Sequence, residues 1–243
     1  MESFLKAIDD PNERLFLEQL IAAQKQAVVA TLSDGVSEQS VIETVNHAAW
    51  FAETMAKKCA DPNQPPVACK AQCHWCCNQF VRVTAPEAFR VAHYFRTRIP
   101  ASEQQAVLVR LTQLREEAQG LSAAERGRLN RACAYLFRGR CVIYAARPLM
   151  CQRQTSYKVS DCKKAIPLGF PVGSVLSERA SLLTHNASIQ GLSDGFEAVL
   201  KRGPLPPLEM ISATHTALTE PDCFERWKAD EPIFTHCTFP EVG

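Results

Sequence analysis

The sequence predicts a mostly α protein: a helical domain interrupted in its middle by irregular cysteine-rich loops. Three observations lead there. Apolar residues recur near helical spacing over most of the chain outside residues 131–170. Start and stop signals flank those stretches. Four cysteines then fall within one short run, Cys69-Lys-Ala-Gln-Cys73-His-Trp-Cys76-Cys77, and Cys133, Cys141, Cys151 and Cys162 follow singly.

In chain order, Asp10-Pro11 opens a first helix whose apolar face carries Leu15, Leu17, Leu20, Ile21 and Val28. Ser33-Asp34-Gly35 breaks it. A second helix runs from about Ser37 to Cys59 on Val41, Val45, Ala48, Ala52 and Met55, so residues 1–60 read as an antiparallel hairpin. The prolines of Asp61–Pro66 make an extended linker. Thr84 and Glu87 fit a capping box with Pro86 in the first turn, and a helix follows to Arg98. Ser102 to Gln119 is a further amphipathic helix ended by Gly120, and Ser122 to Asn130 a short one. Residues 131–170 are irregular. Ser174 to Leu200 is helical again, with a break expected near Gly191, and Leu208–Leu218 and Asp222–Lys228 are the last helices. The expected organisation is a hairpin over 1–60, a cysteine-cluster metal-binding domain over 61–170, and a C-terminal helical segment over 171–243 packed on it.

Composition narrows the function classes. At 243 residues and 46% hydrophobic, the chain can bury a full core. A net charge of +1 does not suggest a globally basic nucleic-acid binder. The start of the chain is mixed and acidic, unlike a signal peptide, and Leu15–Leu32 is too polar to span a bilayer. A cytoplasmic protein without membrane attachment is the expectation.

In that setting, eleven cysteines call for an explanation other than disulfides, since an odd number cannot all pair and the chain lacks the profile of a stapled secreted domain. Adjacent Cys76 and Cys77 could bond only through a strained ring. Thiolate is the ligand that soft metals and iron–sulfur clusters take. Cys69, Cys73 and Cys76 can share a helix face, with Cys77 about 100° further round. Eight thiols suffice for two tetrahedral sites, for a cubane and a zinc ion, or for a polynuclear site, and spacing does not choose among them. Unligated buried thiols and a redox relay of free thiols are the other readings. His74, inside the motif, reads as an exposed neighbour rather than a ligand. His215, Cys223, His236 and Cys237 match no ligand spacing.

The pattern Cys69-x-x-x-Cys73-x-x-Cys76-Cys77 resembles the signature of the YkgJ-like CxxCxxCC cysteine-cluster family, described as a zinc- or iron-chelating domain. The likeness continues through Thr84 and Glu87, then Cys133-Ala-Tyr-Leu136, then Cys141-Val-Ile-Tyr144-Ala-Ala-Arg147-Pro148-Leu-Met-Cys151-Gln-Arg153, spanning about residues 69–165. Two departures stand out. The first gap holds three residues rather than two, and Gln152 takes the place of a basic residue, with Arg153 next. The resemblance implies a metal or iron–sulfur site. One relative carries the domain within a flagellin lysine N-methylase, which opens a link to protein modification; this chain shows no Gly-rich loop for a methyl donor.

The expected metal ligands are therefore Cys73, Cys76, Cys77, Cys133, Cys141 and Cys151, with Cys69 and Cys162, and Arg147 and Tyr144 as their neighbours. The expected cofactor is an iron–sulfur cluster of the 4Fe-4S kind, or zinc. The expected activity is that of a redox or protein-modification enzyme or its accessory, acting on an unidentified protein partner or substrate; the alternative is a structural zinc module. From Arg126 to Lys164, ten basic residues face the single acid Asp161, a surplus that would balance thiolates or attract an anionic partner or RNA.

Overall fold

The computed structural model describes residues 4–70, 72–171 and 173–240. The ends of the first and last expected segments, and Ala71 within the Cys69–Cys73 gap, lie outside the described residues. Among these residues are ten α-helices and four two-residue strands, so the mostly helical architecture holds.

Asp10 caps α1 (Pro11–Thr31) by accepting the Asn12 N–H at 2.8 Å, with Pro11 in the first turn. Ser37 and Ser40 cap α2 (Glu38–Lys58) reciprocally. Each of these helices packs far more extensively on α8 (Arg179–Leu200) than on the other. The expected break near Gly191 is absent, and α8 runs through it. The glycines serve approach rather than flexibility: a Cβ at Gly191 would meet the Ile21 carbonyl oxygen at 2.5 Å, and one at Gly195 would collide with Val28. Two bare positions one turn apart let the α1 backbone lie in a groove of α8. On the α2 side, Thr184 and Ser188 donate their hydroxyls to the carbonyls of Ala52 and Ala48, both at 3.2 Å. α8 also starts later than Ser174, because Ser177 and Glu178 are held outside the helix by Thr155.

The larger core lies between α2, α3 (Ala85–Arg98), α4 (Ala101–Ala118), α8, α9 (Met210–Thr219) and α10 (Cys223–Lys228). Phe89 of α3 meets Phe224, Trp227 and Phe234 at ring separations of 5.3–5.7 Å, edge-on or tilted. A smaller cluster of Ile8, Leu17, Leu20, Leu183 and Ala187 closes the α1–α8 seam. Short elements carry the cysteine segments. β1 (Arg82–Val83) pairs antiparallel with β4 (Leu208–Glu209), Arg82 opposite Glu209. β2 (Leu136–Phe137) and β3 (Arg140–Cys141) form a hairpin turned by Arg138 and Gly139, both at positive φ, as a two-residue primed turn requires. α5 (Ala123–Arg128), α6 (Leu149–Arg153) and α7 (Val159–Ala165) complete the helices. No described helix is long and apolar enough to cross a membrane.

Candidate metal centre

The two cysteine segments meet through the backbone. A 3₁₀ turn, Trp75–Asn78, carries Cys76 and Cys77, and the Cys77 carbonyl accepts the Cys133 N–H at 2.7 Å. The β2–β3 hairpin folds the chain back, so Cys141 lies opposite Leu136, three residues past Cys133. Cys151 rides the first turn of α6, its N–H on the Pro148 carbonyl at 2.9 Å.

α3 and α4 supply the clamps. Glu87 is 2% exposed and works at two helix ends. One oxygen accepts the Thr84 N–H at 2.9 Å, closing the expected capping box, while the other accepts the Leu149 N–H at 3.0 Å and so caps α6. Burial raises its pKa, against hydrogen bonds from Thr84 and Leu149. One turn on, Arg90 donates to the Ala145 carbonyl at 2.9 Å and the Arg147 carbonyl at 3.1 Å, and its Nε reaches Asn46 at 2.6 Å. Arg110 of α4 donates to the carbonyls of Leu136 and Cys133. Three side chains thus fix the backbone of residues 133–149.

The result is one cavity of about 90 Å³. Six thiols line it: Cys73, Cys76, Cys77, Cys133, Cys141 and Cys151. Cys69 and Cys162 do not. Its wall also takes Phe80, Met150 and Met210, and the cations Arg147 and Arg153, but no carboxylate and no imidazole. Arg147 stacks its guanidinium 3.7 Å from the centroid of half-exposed Tyr144 and donates to the Tyr144 carbonyl at 3.2 Å. Arg153 spends one nitrogen on Asn186 at 2.6 Å, while its buried Nε has no partner. Among the described residues no three His, Cys, Asp or Glu side chains are arranged to hold a metal ion, and all eleven cysteines are unpaired.

Burial disfavours the ionised form of three of these thiols. Burial pushes Cys133 up to about 12, raises Cys151 well above the ordinary thiol range, and raises Cys141 too. Cys76 is the exception: a hydrogen bond from Cys77, helped by nearby Arg147, lowers it to about 7 and raises Cys77 correspondingly.

Other expected features fall elsewhere. His74 is half-buried outside the cavity wall, its Nδ1 3.1 Å from the Gln72 carbonyl oxygen. His215 and His236 pair with the hydroxyls of Thr112 (3.2 Å) and Thr216 (2.9 Å), and burial lifts Cys223 and Cys237 to about 12 and about 11. Much of the 126–164 charge is spent internally. Arg126 is buried against Glu209 at 3.3 Å, Arg131 pairs with Glu117 at 2.8 Å and Arg140 with Glu103 at 2.6 Å. Arg128, Arg138, Lys158, Lys163 and Lys164 remain on the surface.

Sequence reading missed Arg90, Arg110 and Met210 as parts of the site. Arg90 and Arg110 carry no local signal, because the carbonyls they hold lie on a distant segment. Met210 arrives only through strand pairing, its N–H on the Val81 carbonyl at 2.9 Å. No known protein family, curated protein or solved structure matches the chain.

Proposed function

We propose that the protein binds metal through cysteine thiolates, carrying an iron–sulfur cluster or iron centre and serving as a redox or protein-modification enzyme or its accessory. One observation carries this reading: six cysteines from separate parts of the sequence line a single small cavity. The donor set fits a soft metal, being all thiol with no competing carboxylate. Its surroundings fit an anionic group, since Arg147 and the unpartnered Nε of Arg153 stand in the same wall. Binding requires the thiols to turn inward from that wall, because they are not gathered to metal-ligand distances. A bound cluster supplies one-electron chemistry; the chain's own residues hold it, shield it with Phe80, Met150 and Met210, and balance its charge. The likeness to the CxxCxxCC family, on the residues quoted above, supports the same reading.

A zinc-binding structural or interaction module without catalysis is the second reading. The missing carboxylate and imidazole favour it, since no acid–base group opens onto the thiols. Anaerobic purification with iron, sulfide and zinc analysis separates the two. Brown protein with about four irons per chain supports the first. Colourless protein with stoichiometric zinc, unfolding in the central segment on chelation, supports the second. Wild-type protein that takes up neither metal overturns both.

A further inference from the structure

A second cavity, of about 500 Å³, lies at the head of α8 and shares no lining residue with the thiol cavity. Its volume falls inside the range of roughly 300–1,000 Å³ typical of small-molecule sites. Phe16 and Leu17 of α1 and Leu183 of α8 give it apolar walls, Leu17 and Leu183 being buried in the seam between those helices. Half-buried Tyr157 and the loop residue Leu176 complete the apolar lining. Leu176 is 69% exposed, more than any other large apolar side chain described. An apolar body seated against it would remove that surface from water.

Three carboxylates and one cation line the same space: Glu13, Asp61, Glu178 and Arg179. Arg179 is already engaged, its Nε and Nη2 donating to the two carboxylate oxygens of Glu13 at 3.1 and 2.5 Å. Asp61 and Glu178 have no ion-pair partner among the described residues, so the lining carries a negative surplus. Both are held in place. Asp61 accepts the Asn63 N–H at 2.9 Å. The Glu178 N–H donates to the Thr155 hydroxyl at 2.9 Å, and Ser177 donates to the Thr155 carbonyl at 3.0 Å. Gln154, which lines the thiol cavity, donates to the Ser177 hydroxyl at 3.3 Å, so one stretch of chain walls off the two cavities from each other.

The combination narrows the occupant. An anion would meet two uncompensated carboxylates, and a neutral apolar molecule would leave them unused. A hard divalent cation takes roughly six to eight oxygen ligands, which mostly apolar walls do not supply. An ammonium group on an apolar body suits both features, with the rings of Phe16 and Tyr157 as further partners for the charge. We propose that this cavity binds a small organic amine, its ammonium group held by Asp61 and Glu178 and its apolar body packed against Phe16, Leu176 and Leu183. The inference is independent of the metal-binding reading and adds a second ligand site.

Dansylcadaverine tests it: a primary amine, protonated at pH 7, on an aromatic body whose emission rises in apolar surroundings. Titrated into the full chain at low salt, it should bind once per chain with raised, blue-shifted emission. Its N-acetyl derivative, neutral at the amine end, should bind about tenfold more weakly. Asp61→Asn and Glu178→Gln should each weaken binding of the amine about three- to fivefold and leave the acetylated probe unaffected. Leu176→Ser, at an exposed position, should weaken both probes alike, about five- to tenfold. A melting curve checks that each variant folds. Equal affinity for the amine and its acetylated form would make the cavity a neutral apolar site and overturn the proposal. So would amine binding that survives unchanged in both Leu176→Ser and the Asp61→Asn, Glu178→Gln double variant, since the probe would then sit elsewhere. A wild type that leaves the probe's emission unchanged overturns it too, whatever metal the thiols hold.

Discussion

The two cysteine segments are built in opposite ways. Residues 69–77 are dense in thiols, and among the described residues a 3₁₀ turn, the Ala68–Ser156 contact and the Cys77–Cys133 contact are their main backbone ties. Residues 133–151 spread three thiols over a longer stretch, and side chains from two helices hold them, Glu87 and Arg90 buried and Arg110 half-buried. Glu87 caps α6, Arg90 holds two carbonyls, and Arg110 holds two more. The density of a motif and the rigidity of its setting are thus separate properties. A crowded run of ligands supplies the donors, and a thinly populated, well-anchored segment supplies the geometry that they close upon.

Removing the anchors is the strongest way to break this contrast. Glu87→Ala strips acceptors from two buried N–H groups at once, and should lower stability by roughly 2–4 kcal/mol, measured as a lower urea midpoint at unchanged slope. Should the variant unfold at the wild-type midpoint, the anchored half is not anchored there. Arg90→Met comes next. It frees two carbonyls and Asn46, and roughly 1–3 kcal/mol should be lost, with weakened metal uptake at Cys141 and Cys151 beyond what stability alone explains. Ser156→Ala probes the lightly built half. Its hydroxyl bridges to Lys158, donating to the carbonyl at 2.9 Å and accepting the N–H at 3.1 Å, so about 1 kcal/mol is at stake. A loss as large as that of Glu87→Ala would erase the distinction between the halves.

The gentlest effect is on acid stability, and it arises outside both halves. Burial lowers the pKa of His185, His215 and His236. Arg153, Arg147 and Glu53 surround the first, while Arg115 and Glu220 act on the other two, with Glu116 and His236 also acting on His215. A histidine with a depressed folded pKa favours the folded state while neutral. That contribution is present above the unfolded value of about 6.5 and is lost as pH falls through it. The melting temperature should therefore decline from pH 7 toward pH 5, and His236→Gln should flatten the decline. An unchanged slope would place the acid sensitivity elsewhere.

How much of this was legible in the residues depended on whether the signal was local. The Asp10-Pro11 start and the Thr84–Glu87 box each involve neighbours in sequence, and both formed as expected. Glu87's second role was invisible, since its partner Leu149 lies on a distant segment. Gly191 was read as a helix breaker on local propensity, and tertiary packing reversed it: the missing Cβ is what admits α1. Arg138-Gly139 was a turn signal in plain sight, but strands of two residues carry no periodicity to flank it. The thiols of the cavity were legible by type and spacing. That Cys69 and Cys162 stand off the cavity wall, near Ser156, was not, because a serine between two motifs looks like any loop serine.

The single backbone bond from the Cys133 N–H to the Cys77 carbonyl has a consequence for the order of events as the chain is made. Residues 69–77 leave the ribosome first and carry thiols with nothing yet to close against. α3 and α4 follow with Glu87, Arg90 and Arg110, but both pack on α9, which lies beyond residues 133–149 in the chain, so the grip on that segment is completed only once α9 has emerged. Any delay between these stages leaves four early thiols open to oxidation or to a stray soft metal, so a reducing environment during synthesis matters more to this protein than to its folded form.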